Sequence, residues 1–145
     1  MQDSKETVNQ LNSFLRGEIS AVETYRQALE SVKDLPQRST LEACAASHRS
    51  RVSILQEEVA RRGGVPAEGS GAWGAFAKAV EGTASAFGAK AAIAALEEGE
   101  DHGRDDYKRG MSDLDADGLE FMKTRIMPEQ LRTHDALSAL KKSMS

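Results

Sequence analysis

The chain has 145 residues, 39% hydrophobic and 29% charged, the size and balance of one globular domain with one core. Aromatics make up 5% of it and prolines number 3, a composition that favours helices over a β-sandwich or barrel. A net charge of −4 argues against a dedicated nucleic-acid binder, and no apolar run reaches the ~20 residues of a membrane span.

In chain order, Met1 to Thr7 is polar and lacks the apolar stretch of a secretory signal, which fits a cytoplasmic protein. A first helix is predicted over 4–34. Asp3 and Glu6 have capping-box spacing. Val8, Leu11, Leu15, Glu18, Val22, Tyr25, Leu29 and Val32 then recur at steps of three and four, the stripe of a bundle helix. Asp34-Leu35-Pro36 should end it, because the residue before proline is pushed out of helix. A second helix, 39–62, opens with Ser39 and Glu42 at capping-box spacing. It carries Leu41, Ala45, His48, Val52, Leu55 and Val59 as its stripe and stops at Gly63-Gly64. Cys44, the single cysteine, has no intrachain disulfide partner and reads as an inert buried thiol.

Residues 63–82 form a long crossover in which Trp73, Phe76 and Val80 have helical spacing and predict a short docked helix. The third helix, 83–110, places Ala89, Ile93, Leu96, Glu100, Gly103 and Tyr107 on one stripe. The fourth, 117–142, opens with Asp117 and Glu120 and continues through Phe121, Met127, Leu131, His134, Leu137 and Leu140. Pro128 should kink this helix or mark its real start. Met111, Met122 and Met127 read as gap-filling core residues. Short links within each half and a long one between them predict an all-α four-helix bundle, a single domain over 1–145. Its two antiparallel hairpins are joined with ferritin-like connectivity.

The polar residues on these stripes carry the functional argument. Glu18 and Glu100 sit at core positions, where a carboxylate must be paired, hydrogen-bonded or bound to a metal. Each precedes a tyrosine by seven residues, Tyr25 and Tyr107, so the halves look like a diverged duplication of one hairpin. His48 and His134 lie on the stripes of the second helix in each half. Two Glu and two His pointing inward are the ligand types of a carboxylate-bridged dimetal site. Such sites place a Glu three residues before each His; here those positions hold Ala45 and Leu131. Reflection about a turn near Pro36 puts His48 about 9 Å along the axis from Glu18, at ~1.5 Å per residue. The same exercise brings His134 to the level of Glu97 and Glu100. The expected metal set is therefore Glu18, Glu97, Glu100 and His134, holding iron or zinc, with Tyr25, Tyr107 and His48 around it.

On Glu18 with Tyr25, the Gly63-Gly64 turn, the Trp73-containing crossover and Glu97-Glu98-Gly99-Glu100-Asp101 leading to Tyr107, the chain resembles the ferritin-like superfamily. More closely, it resembles a bacterial family of ferritin-related four-helix-bundle proteins of unknown function. The resemblance implies Glu18 and Glu100 as terminal ligands and a homodimer as the assembly. The departures at Ala45 and Leu131 remove both bridging carboxylates, and with them the basis for ferroxidase or peroxidase chemistry.

Two further readings use the same residues. In a metal-free scaffold acting through its surface, as a stress-associated or protein-interaction module, Tyr hydroxyls, Arg51 or His134 would satisfy the carboxylates. In a histidine phosphotransfer domain, Ser47-His48-Arg49 would present an exposed His48. His102 lies off the stripe and has no role; Arg49, Arg51, Arg61 and Arg62, interleaved with Glu57 and Glu58, read as a solvated face.

Overall fold

The computed structural model describes residues 4–71, 74, 78 and 87–144, and every regular element among them is helical. The long helices are α1 (Ser4–Leu29), α2 (Leu35–Arg61) and α3 (Ala89–Gly110). A 3-10 turn (Met111–Asp113) leads to a short α4 (Ala116–Phe121), a π-helical turn (Met122–Ile126) and α5 (Met127–Ser143).

Helix ends differ from the predicted ones for local reasons. The α1 helix stops at Leu29, because the Arg38 guanidinium donates to the Leu29 and Val32 carbonyls at 2.5 and 2.8 Å and closes that end. Leu35-Pro36 opens α2 rather than ending α1. Proline sits in its first turn, where no N–H is needed, and the Asp34 carboxylate accepts from the Gln37 N–H at 3.1 Å. Ser39 lies inside that helix. Gly63, at φ 84°, terminates α2 as expected: Gly63 N–H donates to the Ala60 carbonyl and Gly64 N–H to that of Val59. In the second hairpin the cap is Asp115, not Asp117, accepting from Gly118 N–H at 2.7 Å. Pro128 stands in the first turn of α5, just after the π turn, so it marks that helix's start. Asp3, the Trp73, Phe76 and Val80 helix, and the predicted start of the third helix at 83–86 lie outside the described residues.

The long helices form a ring in which α1 touches α2 and α3, and α5 touches α2 and α3. Glu18 meets Tyr107 while Tyr25 meets Glu100, so α1 and α3 run antiparallel. Glu100 meets Thr133 while Glu97 meets Lys141, so α3 and α5 do too. The α2 and α3 helices therefore point the same way. One apolar layer gathers Val32, Leu41, Ile93, Leu96 and Leu137; another gathers Leu11, Phe14, Leu55, Val59, Met122 and Ile126. Buried polar side chains fill the level between them: Glu18, His48, Arg51, Glu100 and Thr133.

Candidate functional site

Each residue of this polar level is placed by helical periodicity. Glu18 and Tyr25 face inward from α1, Glu100 and Tyr107 from α3, His48 and Arg51 from α2, and Gln130 and Thr133 from α5. Glu18 and Glu100 are 4% and 5% exposed, which meets the sequence expectation that both point inside. The tyrosines pair across the halves: Tyr25 donates to Glu100 at 2.5 Å, and Tyr107 donates to Glu18.

His48 lies between the two carboxylates, its Nδ1 2.5 Å from Glu18 and its Nε2 2.7 Å from Glu100. An ionised carboxylate only accepts, so both ring nitrogens donate and the ring is an imidazolium. This corrects the expected separation of His48 from Glu18. The α1–α2 turn centres near residue 33 rather than Pro36, and a three-residue error in the centre moves the mirrored level by six. The same position overturns the phosphotransfer reading: His48 is 5% exposed and both its nitrogens are engaged.

Arg51 is the second correction. It is fully buried, not part of a solvated face. Its Nη1 donates to Glu18 at 3.2 Å, and its Nη2 donates to Thr133 Oγ1 at 2.7 Å and Ser47 Oγ at 3.2 Å. Thr133 passes the contact to Glu100 at 2.8 Å, and Ser47 passes it to Glu129 at 2.8 Å. Of the arginine run, Arg49 and Arg61 are exposed, whereas Arg62 ties Glu58 to Asp115.

Two carboxylates and two cations thus cancel inside the bundle. Burial alone would push Glu18 up, but Arg51 and His48 outweigh it and hold the carboxyl down to about 2. Burial also pushes Glu100 up, and His48, Tyr25 and Arg51 bring it below its ordinary value. Burial would lower His48, and the two glutamates raise it instead. Both tyrosines are pushed well above their ordinary range, by burial first and then by the facing carboxylate, so their hydroxyls remain donors. A cavity of ≈ 50 Å³ borders this network between α1 and α3, walled by Gly17, Ala21, Gly99 and Gly103, with room for a few waters.

The other members of the expected metal set stand elsewhere. Glu97 meets Lys141 at 3.3 Å on the flank of the bundle, and His134 bonds Asp101 at 2.6 Å and Arg104 at 3.1 Å. At this polar level the residues that α5 turns inward are Gln130 and Thr133. Gln130 donates to the Glu100 carbonyl at 3.3 Å. His102 is exposed beside Glu98, as expected. The residues of this level do not fit a divalent cation. The oxygens of Glu18 and Glu100 already accept from the His48 ring, the Arg51 guanidinium, two tyrosines and a threonine.

One sequence signal finds the missed residues. Glu100 lies 82 positions after Glu18, and Tyr107 lies 82 after Tyr25. The same offset pairs His48 with Gln130, Arg51 with Thr133, and Ser47 with Glu129. The hairpin repeat therefore extends through α2 and α5, and its inward-facing i, i+3 pairs are His48/Arg51 and Gln130/Thr133.

The family model described as a domain of unknown function (DUF2383) matches residues 6–113, and the chain belongs to that family. No curated protein and no solved structure matches it.

Proposed function

We propose that this member of the DUF2383 family is a ferritin-like bundle in which Arg51 and His48 supply the positive charge that a metal centre would bring. On this reading it works as a metal-free scaffold, through its surface, as a stress-associated or protein-interaction module. The observation that carries it is the buried Arg51 guanidinium, bonded to Glu18, Ser47 and Thr133. A ferritin-like dimetal site needs Glu-x-x-His facing inward on two helices. The repeat puts His48-x-x-Arg51 and Gln130-x-x-Thr133 at those pairs. Replacing a bound cation by two protein cations keeps the interior neutral, which makes burying two carboxylates tolerable. No metal-centred oxidation is assigned to the protein. A homodimer and a cytoplasmic setting belong to the same proposal, to be read by light scattering and by cell fractionation.

The second reading, iron or zinc held by Glu18 and Glu100, rests on the convergence of those carboxylates on one imidazole. Elemental analysis separates the two. Protein made in iron- and zinc-supplemented medium should hold far less than one atom per chain after dialysis, whereas H48E/R51H/Q130E/T133H should gain zinc or iron. A stoichiometric metal in the wild type that is lost in Glu18→Ala or Glu100→Ala would establish the second reading.

A further inference from the structure

The molecule is acidic overall, yet cations collect in one concavity on the outer side of the α1–α2 hairpin. This groove has a volume of ≈ 550 Å³, within the size range of small-molecule sites. Helical spacing builds it: Val22, Arg26 and Leu29 descend one face of α1, Lys33 follows in the turn, and Ala45 and Arg49 rise on α2 opposite. Val22, Leu29 and Ala45 make an apolar floor. Arg26, Lys33, Arg38 and Arg49 stand on the rim, with Glu30 as the acidic member of the lining.

The rim cations are not equivalent. Arg38 is fixed by the Leu29 and Val32 carbonyls and by Glu42 at 3.3 Å. Arg26, Lys33 and Arg49 have no hydrogen-bond or ion-pair partner among the described residues. Several arginines elsewhere are paired with neighbouring acids, as Arg61 is with Glu58, Arg109 with Asp106 and Arg132 with Glu129, whereas Arg125, among the described residues, stands alone on its segment, with no second unpaired arginine lining the same concavity. Even with Glu30 in the lining, the groove carries a local excess of positive charge that an anion would complement.

We infer that the α1–α2 groove binds a small amphipathic organic anion: an apolar body on Val22, Leu29 and Ala45, with a carboxylate, sulfonate or phosphate head between Arg26 and Arg49. This inference stands independently of the metal-free reading of the core, because the groove lies on the outside of the hairpin and shares no residue with the charge network.

The test uses the full chain and 1-anilinonaphthalene-8-sulfonate, followed by fluorescence, with dodecyl phosphate below its micelle concentration as competitor. Wild type should bind the dye saturably at one site, more weakly as NaCl rises. R26E/R49E should bind it at least ~10-fold more weakly, and R26A/R49A should fall between. K123E/R125E, with the same charge change on a distant segment, should match wild type. All four positions are exposed, and far-UV circular dichroism checks that each variant is folded. Equal affinity in R26E/R49E and K123E/R125E would overturn the inference. So would displacement of the dye by a neutral detergent as readily as by dodecyl phosphate, or binding to phosphatidylglycerol vesicles without any competition by the free anion.

Discussion

Arg51→Met isolates the buried guanidinium, because methionine keeps the apolar stem while removing the charge. The change deletes the 3.2 Å bond to Glu18, the 2.7 Å bond to Thr133 and the bonds to Ser47. It leaves the core with two carboxylates and one imidazolium. A hydrogen bond to a charged group contributes about 1.5–3 kcal/mol, and breaking a buried pair by removing one partner costs about 3–5 kcal/mol. We expect a loss of about 3–5 kcal/mol at pH 7, a large share of the roughly 5–15 kcal/mol that holds a domain together. Glu18→Gln combined with Arg51→Met should recover part of that loss, with a coupling of about 1–3 kcal/mol, since neither charge is then left alone. The deficit of the single variant should also be smaller at pH 5 than at pH 7. Without Arg51, burial pushes the Glu18 carboxyl back up, and it accepts a proton more readily. Urea denaturation followed by circular dichroism at both pH values measures all three quantities. An Arg51→Met variant within about 1 kcal/mol of wild type, and additive with Glu18→Gln, would refute the reasoning.

The other predictions follow from the same geometry. Glu18 falls from an ordinary 4.5 to about 2, so it contributes about 3 kcal/mol that is present above pH 4.5 and lost as pH falls toward 2. His48 is raised above 6.5, so its contribution is complete below that value and lost as pH rises through its folded pKa. Wild-type stability should therefore peak between about pH 4.5 and 6.5, and His48→Gln should flatten the alkaline decline. The Cys44 thiol is 1% exposed and pushed by burial up to about 11; Ellman's reagent at pH 8 should leave the native protein untouched and modify it fully in urea. Gly110→Ala puts a Cβ 2.5 Å from Phe14 Cζ and should cost about 1–3 kcal/mol. Gly103→Ala meets nothing within 4 Å in a helix interior and should add up to about 1 kcal/mol. Thermal melts of the two glycine variants check the pair against each other.

Much of the architecture was legible as periodicity. The stripes named Leu11, Leu15, Glu18, Tyr25, Leu41, Leu55, Ile93, Leu96, Glu100, Tyr107 and Leu137, all of which are buried. The two inward carboxylates and their tyrosines were legible as well, because a heptad step keeps side chains on one face of a straight helix. What escaped was the register of the second helix in each hairpin. Between α1 and α2 a proline signals a stop for the helix before it, and at the first turn of the next helix it is equally a start. In the other hairpin, the π turn before α5 adds a residue and rotates the following face, so Thr133 turns inward and His134 does not. Arg51 escaped for a chemical reason. Its type places it on the surface, and only its partners allow burial. Its i, i+3 relation to His48 and the 82-residue offset to Thr133 held the information.

The charge state of the His48 ring decides whether the core is neutralised by protein cations. With the protein's histidines labelled with nitrogen-15, the Nδ1 and Nε2 shifts of His48 at pH 7 report whether both nitrogens carry protons, and His48→Gln assigns the signals. Both nitrogens should report an imidazolium, unchanged by a chelator or by added zinc. A neutral ring, or one nitrogen shifted by a bound metal and restored by the chelator, would contradict it.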